Sequence, residues 1–109
     1  MRLEAGATAF DLFNPVSREA ISAKTMDTLL ASYIKKPQRI YGDIVDYVNE
    51  VLDYEPVKES DIPLDWIESR SVYLAVPEWT SPSQWRYLIR AIIYGKDNGV
   101  SIVIIRVRE

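Results

Sequence analysis

Asp11, Ser22 and Lys24 are the residues of this chain whose types and spacing suit chemistry. They lie in Ala9-Phe-Asp-Leu-Phe-Asn-Pro-Val-Ser-Arg-Glu-Ala-Ile-Ser-Ala-Lys-Thr25, where both ends alternate apolar with polar. Phe10, Leu12, Ile21 and Ala23 fall on one face of a two-residue repeat, and Asp11, Ser22 and Lys24 on the other. Asn14-Pro15 and Ser17-Arg18 between them are turn formers, which predicts a β-hairpin. A register pairing Asp11 with Lys24 puts their Cβ atoms about 5 Å apart on one sheet face. A carboxylate beside a lysine and a hydroxyl suits metal-assisted cleavage of a phosphodiester. The carboxylate holds an oxygen-preferring divalent cation that polarises the phosphorus. The lysine orients the attacking water and neutralises charge that builds up in the transition state. The plainer reading is a solvated cross-strand charge pair, contributing about 0–1 kcal/mol.

The rest of the chain predicts one α/β domain over residues 1–109. Ile40, Tyr41, Ile44, Val45, Val48 and Leu52 follow helical spacing after Pro37. Residues 54–68 are polar, with Pro56 and Pro63, and read as a loop or a poorly paired hairpin tip. Val72, Leu74 and Val76 alternate with Tyr73 and Ala75 in a strand closed by Pro77. Thr80-Ser81-Pro82 is a helix start, a capping hydroxyl followed by a first-turn proline. Trp85, Ile89, Ile92 and Ile93 form the expected buried stripe of that helix, which Asn98-Gly99 ends. Residues 100–107 are nearly continuous in hydrophobicity, as in a central strand buried on both faces. The order is β-β-α-β-α-β, with a hairpin or loop insertion around 53–70. Trp85 belongs to the helix core, Trp79 to a staple at the helix start, and Trp66 to a position resembling an interface hot spot.

Composition narrows the chemistry by exclusion. With 109 residues at 48% hydrophobic, the chain is long enough for one core. It has no cysteine and no histidine, which excludes disulfides, thiolate or imidazole metal sites and histidine acid–base catalysis in cis. No transmembrane run is visible, and no stable membrane association is expected. The net charge of −3 conceals segregation. Residues 1–42 carry six basic and four acidic side chains, residues 69–109 six and three, and residues 43–68 one and nine. Lys35, Lys36 and Arg39 follow the Lys24 motif closely and suit phosphate contacts, while the acidic block faces elsewhere. A solvated cationic face is the alternative.

The run from Thr8 to Thr28 resembles the C-terminal nuclease toxin domain of CdiA proteins of contact-dependent growth inhibition, and within them the zinc-dependent DNase group with a PD-(D/E)XK-like core. That group has Phe-Asp-x-Phe followed by Ser-Ala-Lys-(Ser/Thr)-x-Asp-Thr. Here these are Phe10-Asp11-Leu12-Phe13 and Ser22-Ala23-Lys24-Thr25-Met26-Asp27-Thr28. The resemblance continues through Pro37-Gln38-Arg39-Ile40-Tyr41, Val72-Tyr73-Leu74-Ala75-Val76-Pro77, Gln84-Trp85 and Arg90-Ala91-Ile92-Ile93-Tyr94-Gly95 to the closing strand.

The resemblance implies that Asp11 ligates the metal, that Lys24 is the lysine of the (D/E)XK element, and that Ser22 stands where other members have an acid. It implies a divalent metal, zinc first with magnesium or manganese as alternatives, and a DNA substrate. It also implies a secreted, surface-displayed bacterial toxin delivered to the target-cell cytoplasm and neutralised as a heterodimer by a cognate immunity protein. Similar domains lend that protein a β-hairpin; residues 53–70 occupy the position here, with Asp53, Tyr54, Glu55 and Trp66 as expected contacts. Similar domains also carry a glutamate on a helix well upstream of the motif aspartate. Only Glu4 is available here, seven positions before Asp11, an extended span of about 23 Å that folds back only through Gly6. The chain therefore reads as a family domain begun late, with one sheet face partly uncovered at Phe10, Leu12, Tyr33, Tyr41 and Trp66. A catalytically incomplete fragment that only binds the immunity protein, and an RNA or transfer-RNA nuclease, are the alternatives.

Overall fold

The strands of this protein sort their side chains into one buried and one bare face, and that sorting positions everything else. The computed structural model describes residues 9–108; Glu4 and Gly6 lie outside the described residues. β1 (Leu12–Asn14) and β2 (Glu19–Thr25) form the expected hairpin. The Asn14 side-chain oxygen accepts from the Val16 and Ser17 amides at 2.9 and 3.2 Å, the Asx turn that its residue type favours. β3 (Ser69–Pro77) lies parallel to β2, and β4 (Val100–Val107) parallel to β3, giving the sheet order β1-β2-β3-β4.

Parallel strands need crossovers long enough to hold a helix. α1 (Ala31–Lys35) and α2 (Gln38–Leu52) lie between β2 and β3, and α3 (Pro82–Asp97) between β3 and β4. α1, a single short helical segment, has no counterpart in the sequence reading. Phe13, Ala20, Ser22, Val72, Leu74, Val76, Val100 and Ile102 are buried on the helix side, together with Ile40, Ile44, Val48 and Val51 of α2 and Leu88 and Ala91 of α3. Leu12, Ala23, Val103, Ile105 and Val107 are exposed on the other side.

β4 is therefore not a central strand buried on both faces. It is an edge strand with one covered face, because Val100 and Ile102 alternate with side chains that no described element reaches. Phe10, expected in an uncovered patch, is instead buried with its ring edge-on to Tyr54 at 5.0 Å between centroids. Tyr33 and Tyr41 are half-buried against the core, while Leu12 and Trp66 are exposed.

α3 begins as its sequence requires. Ser81 is the N-cap, Pro82 occupies the first turn, and Gln84 closes a capping box with Ser81. The Gln84 amide nitrogen also donates to the Thr28 carbonyl at 2.6 Å, while the Thr80 hydroxyl donates to the Pro77 carbonyl at 2.6 Å and lies 2.6 Å from that of Thr28. These bonds fix the helix rotation so that Gln84, Leu88, Ala91 and Gly95 face inward. The expected stripe is rotated accordingly: Ile89 and Ile93 are exposed, Trp85 and Ile92 partly buried. Trp79, read as a staple, is exposed. α3 ends at Asp97, with Asn98 as C-cap and Gly99 at φ 78°, a left-handed conformation that glycine adopts without steric cost.

The segment between α2 and β3 contains no strand; one 3-10 turn (Leu64–Trp66) is its only regular element. Side chains take the place of a ladder there. The Arg18 guanidinium donates to the carbonyls of Asp65 and Trp66 at 2.7 and 2.8 Å and pairs with Glu68 at 3.2 Å. Arg70 donates to the Val51 and Leu52 carbonyls at 2.6 and 3.0 Å, satisfying the C-terminal end of α2.

Candidate active site

The hairpin register is Leu12↔Ile21, Phe13↔Ala20 and Asn14↔Glu19. Asp11 lies in a bend just before the paired residues, with its backbone bonded to Ile21, so the pairing of Asp11 with Lys24 weighed from sequence does not occur. Asp11 sits at the end of the ladder, where its amide donates to the Ile21 carbonyl at 2.9 Å. Its carboxylate Oδ2 accepts from the Ala23 amide at 2.8 Å. Ala23 is the residue between Ser22 and Lys24, so one bond ties the motif carboxylate to the centre of the motif strand.

Ser22 and Lys24, two apart on β2, share its helix-covered face. Ser22 is fully buried, and its Oγ has no hydrogen-bond partner. A buried hydroxyl left unpaired costs about 1–3 kcal/mol, so the position is demanding. Lys24 emerges beside α2. Its Nζ lies 3.4 and 3.5 Å from the two carboxylate oxygens of Glu50 and 5.3 Å from the centre of the Tyr47 ring.

The α2 face opposite Lys24 is polar. Asp43, Tyr47 and Glu50 follow one another at helical spacing, so they share a stripe. The Tyr33 hydroxyl of α1 donates to Asp43 Oδ2 at 2.6 Å. Burial first, then the bond to Asp43 and its charge, push the Tyr33 hydroxyl up to about 12. Burial also raises the Tyr47 hydroxyl, helped by Asp43, Glu50 and Asp46. Both phenols are therefore neutral donors at physiological pH.

Glu50 and Tyr47 are the neighbours of Lys24 that the sequence reading missed. The available signal was the spacing of Asp43, Tyr47 and Glu50 along the flank of the apolar stripe of α2. Lys35, Lys36 and Arg39 are exposed at the α1–α2 junction, and nothing among the described residues pairs them with acids. Asp53 is the C-cap of α2, and Asp53, Glu55 and Trp66 are exposed. Tyr54 is 5% exposed and donates its hydroxyl to the Ile62 carbonyl at 3.0 Å, so it holds the loop from inside.

For a divalent cation the motif offers Asp11 Oδ1, which has no hydrogen-bond partner among the described residues, and the unpartnered but buried Ser22 Oγ. Among the described residues, no three Asp, Glu, His or Cys side chains come together as a complete cage. This all-oxygen, sparse donor set fits a cation that is completed by water and phosphate oxygens. It lacks the nitrogen and sulfur ligands that zinc sites favour.

Comparison with known proteins gives the chain its family. Residues 2–105 match the family model described as the CDI toxin restriction endonuclease-like domain. A protein named Deoxyribonuclease CdiA from Yersinia pseudotuberculosis serotype O:3 (strain YPIII) is 30% identical over 109 residues, covering 98% of this chain and 10% of that protein. Deoxyribonuclease CdiA-o11 from Escherichia coli O157:H7 (strain EC869) is 28% identical over 109 residues, covering 98% of this chain and 29% of that protein. The chain thus spans less than a third of the length of either relative. Among solved structures, the CdiA-CT/CdiI toxin and immunity complex from Yersinia pseudotuberculosis superposes with a TM-score of 0.84 at 30% identity, over 97% of this chain and 87% of that one. The chain belongs to the restriction endonuclease-like toxin domains of contact-dependent inhibition systems.

Proposed function

We propose that this chain is a metal-dependent DNA endonuclease, the toxic part of a contact-dependent growth inhibition protein. The observation that carries this reading is the bond from the Ala23 amide to the Asp11 carboxylate, which ties that carboxylate to the segment of β2 that bears Ser22 and Lys24. The names of the relatives, both deoxyribonucleases, agree with it.

Asp11, with Ser22 of β2, would hold the cation, which would supply Lewis acidity at the scissile phosphate. Lys24 orients the attacking water and offsets the charge that develops on the phosphate oxygens. Lys35, Lys36 and Arg39 extend the cationic surface for backbone phosphates. The oxygen donors favour magnesium or manganese over zinc, the reverse of the order implied by the resemblance.

A cognate immunity protein is the natural partner, since the solved relative is a toxin and immunity complex. Residues 53–68 have no strand to donate, so side chains carry the recognition on this surface. Trp66 is 53% exposed on a turn that Arg18 holds in place, and acidic Asp53, Glu55, Asp65 and Glu68 lie around it in sequence. A preorganised aromatic anchor with acidic neighbours suits a basic pocket. Delivery from a surface-displayed parent protein to the cytoplasm of a target cell completes the proposal; no described helix is long and apolar enough to cross a membrane.

The second reading, a binding module without catalysis, is favoured by the single carboxylate tied to the motif strand. Incubating the purified chain with plasmid DNA and with transfer RNA, each with magnesium, manganese or zinc, separates the readings. DNA cleavage supports the endonuclease. Cleavage of transfer RNA alone reassigns the substrate, and an inert chain that still binds the immunity protein supports the module.

A further inference from the structure

We infer that Glu50 of α2 is a positioning residue for Lys24, supplying from the crossover helix a carboxylate that the hairpin motif lacks. This inference rests on the nuclease reading of Lys24. A lysine stem is long and flexible, and an ammonium at its end is useful in catalysis only when it is held in one place. Lys24 is restrained from two directions: its Nζ lies 3.4 and 3.5 Å from the two oxygens of Glu50, and the Tyr47 ring approaches it at 5.3 Å. Glu50 is the only acid within ion-pair distance of Lys24 among the described residues; Asp11 is occupied with the Ala23 amide instead. The two contacts come from positions three apart on one helix, so α2 presents them together.

An ammonium has three donors. The shared contact to Glu50 leaves donors for the attacking water or a phosphate oxygen. The Lys24 and Glu50 side chains are 27% and 38% exposed, so solvent screens the pair and its loss affects stability little. The arrangement therefore acts on where the lysine points more than on whether the chain folds.

The test compares wild type, Lys24→Ala, Glu50→Ala and Glu50→Gln of this chain in plasmid cleavage, alongside carbon-13 NMR of the Lys24 ε-methylene. Glu50→Ala should lower kcat about tenfold with KM within about twofold. Glu50→Gln, which keeps an acceptor oxygen, should lose less. Melting temperatures should stay within about 5 °C of wild type. The ε-methylene should be ordered in wild type and averaged in Glu50→Ala. An unchanged or raised kcat in Glu50→Ala, or an equally ordered methylene, overturns the inference while leaving the nuclease reading intact. A wild type that cuts no better than Lys24→Ala overturns the nuclease reading, and the inference falls with it.

Discussion

Asp11 accepts a 2.8 Å hydrogen bond from the amide of Ala23, and this contact serves architecture and chemistry together. The β1–β2 ladder ends at Leu12↔Ile21, so the Ala23 amide has no strand partner on that side, and a carboxylate replaces one. Substitution separates the two roles. Asp11→Asn keeps an acceptor for Ala23, so its stability should stay within about 1 kcal/mol of wild type while metal-dependent cleavage is lost. Asp11→Ala should lose cleavage and, in addition, about 1–2 kcal/mol, because the amide is left without its partner. Urea unfolding of both variants beside cleavage assays checks the split. Equal stabilities for the two would show that the bond to Ala23 holds nothing together.

α3 approaches β4 through Gly95. A Cβ added there meets Ile102 Cδ1 and the Val100 carbonyl oxygen, both at 2.8 Å. Alanine gains about 1 kcal/mol over glycine in helix propensity. It also forces a clash that costs about 1–3 kcal/mol or more where backbone must yield. Gly95→Ala should therefore be net destabilising, by about 1–2 kcal/mol in chemical unfolding. Ile102→Val in the same chain should relieve only part of this, since the Val100 carbonyl remains. A Gly95→Ala chain more stable than wild type would mean that α3 stands further from β4.

The sequence carried the strand and helix spans well, and the reason is visible in particular residues. Asn14, Ser81, Pro82 and Gly99 each fill a backbone role that few other residues fill, so turns and caps were legible. The rotation of α3 was not legible, because small Ala91 and Gly95 rather than the isoleucines decide which side packs closely. The bare face of the sheet was hidden for a related reason. An apolar run such as β4 reports hydrophobicity on both faces and says nothing about which face another element covers. In the site, Asp11, Ser22 and Lys24 were legible as a motif, but the bond of Asp11 to the Ala23 amide and the arrival of Glu50 from α2 are tertiary facts.

Tyr33 and Asp43 connect α1 to α2 beside the site, and their bond gives a pH signature. The Tyr33 hydroxyl is raised from 10.0 to about 12, with burial as the largest cause and the bond to Asp43 next. A raised value means that the folded chain holds the proton more tightly than the unfolded chain. The stabilisation is therefore complete below pH 10.0 and is lost as pH rises through about 12. Wild type should be more stable than Tyr33→Phe at neutral pH, and the gap should close across that window. Unfolding midpoints of both proteins between pH 8 and 12 measure it, with Tyr47 and Tyr54 common to both. A gap independent of pH would mean that Tyr33 contributes packing alone.

The central claim is that the hairpin motif is a phosphodiesterase centre, and the rate of supercoiled-plasmid cleavage by Lys24→Ala against wild type tests it most directly. With magnesium, manganese or zinc present, wild type should convert the plasmid to open-circular and linear forms, and Lys24→Ala should be at least about 100-fold slower at unchanged fold. Equal rates for the two proteins, or a folded wild type that leaves the plasmid intact with every metal, would contradict the account.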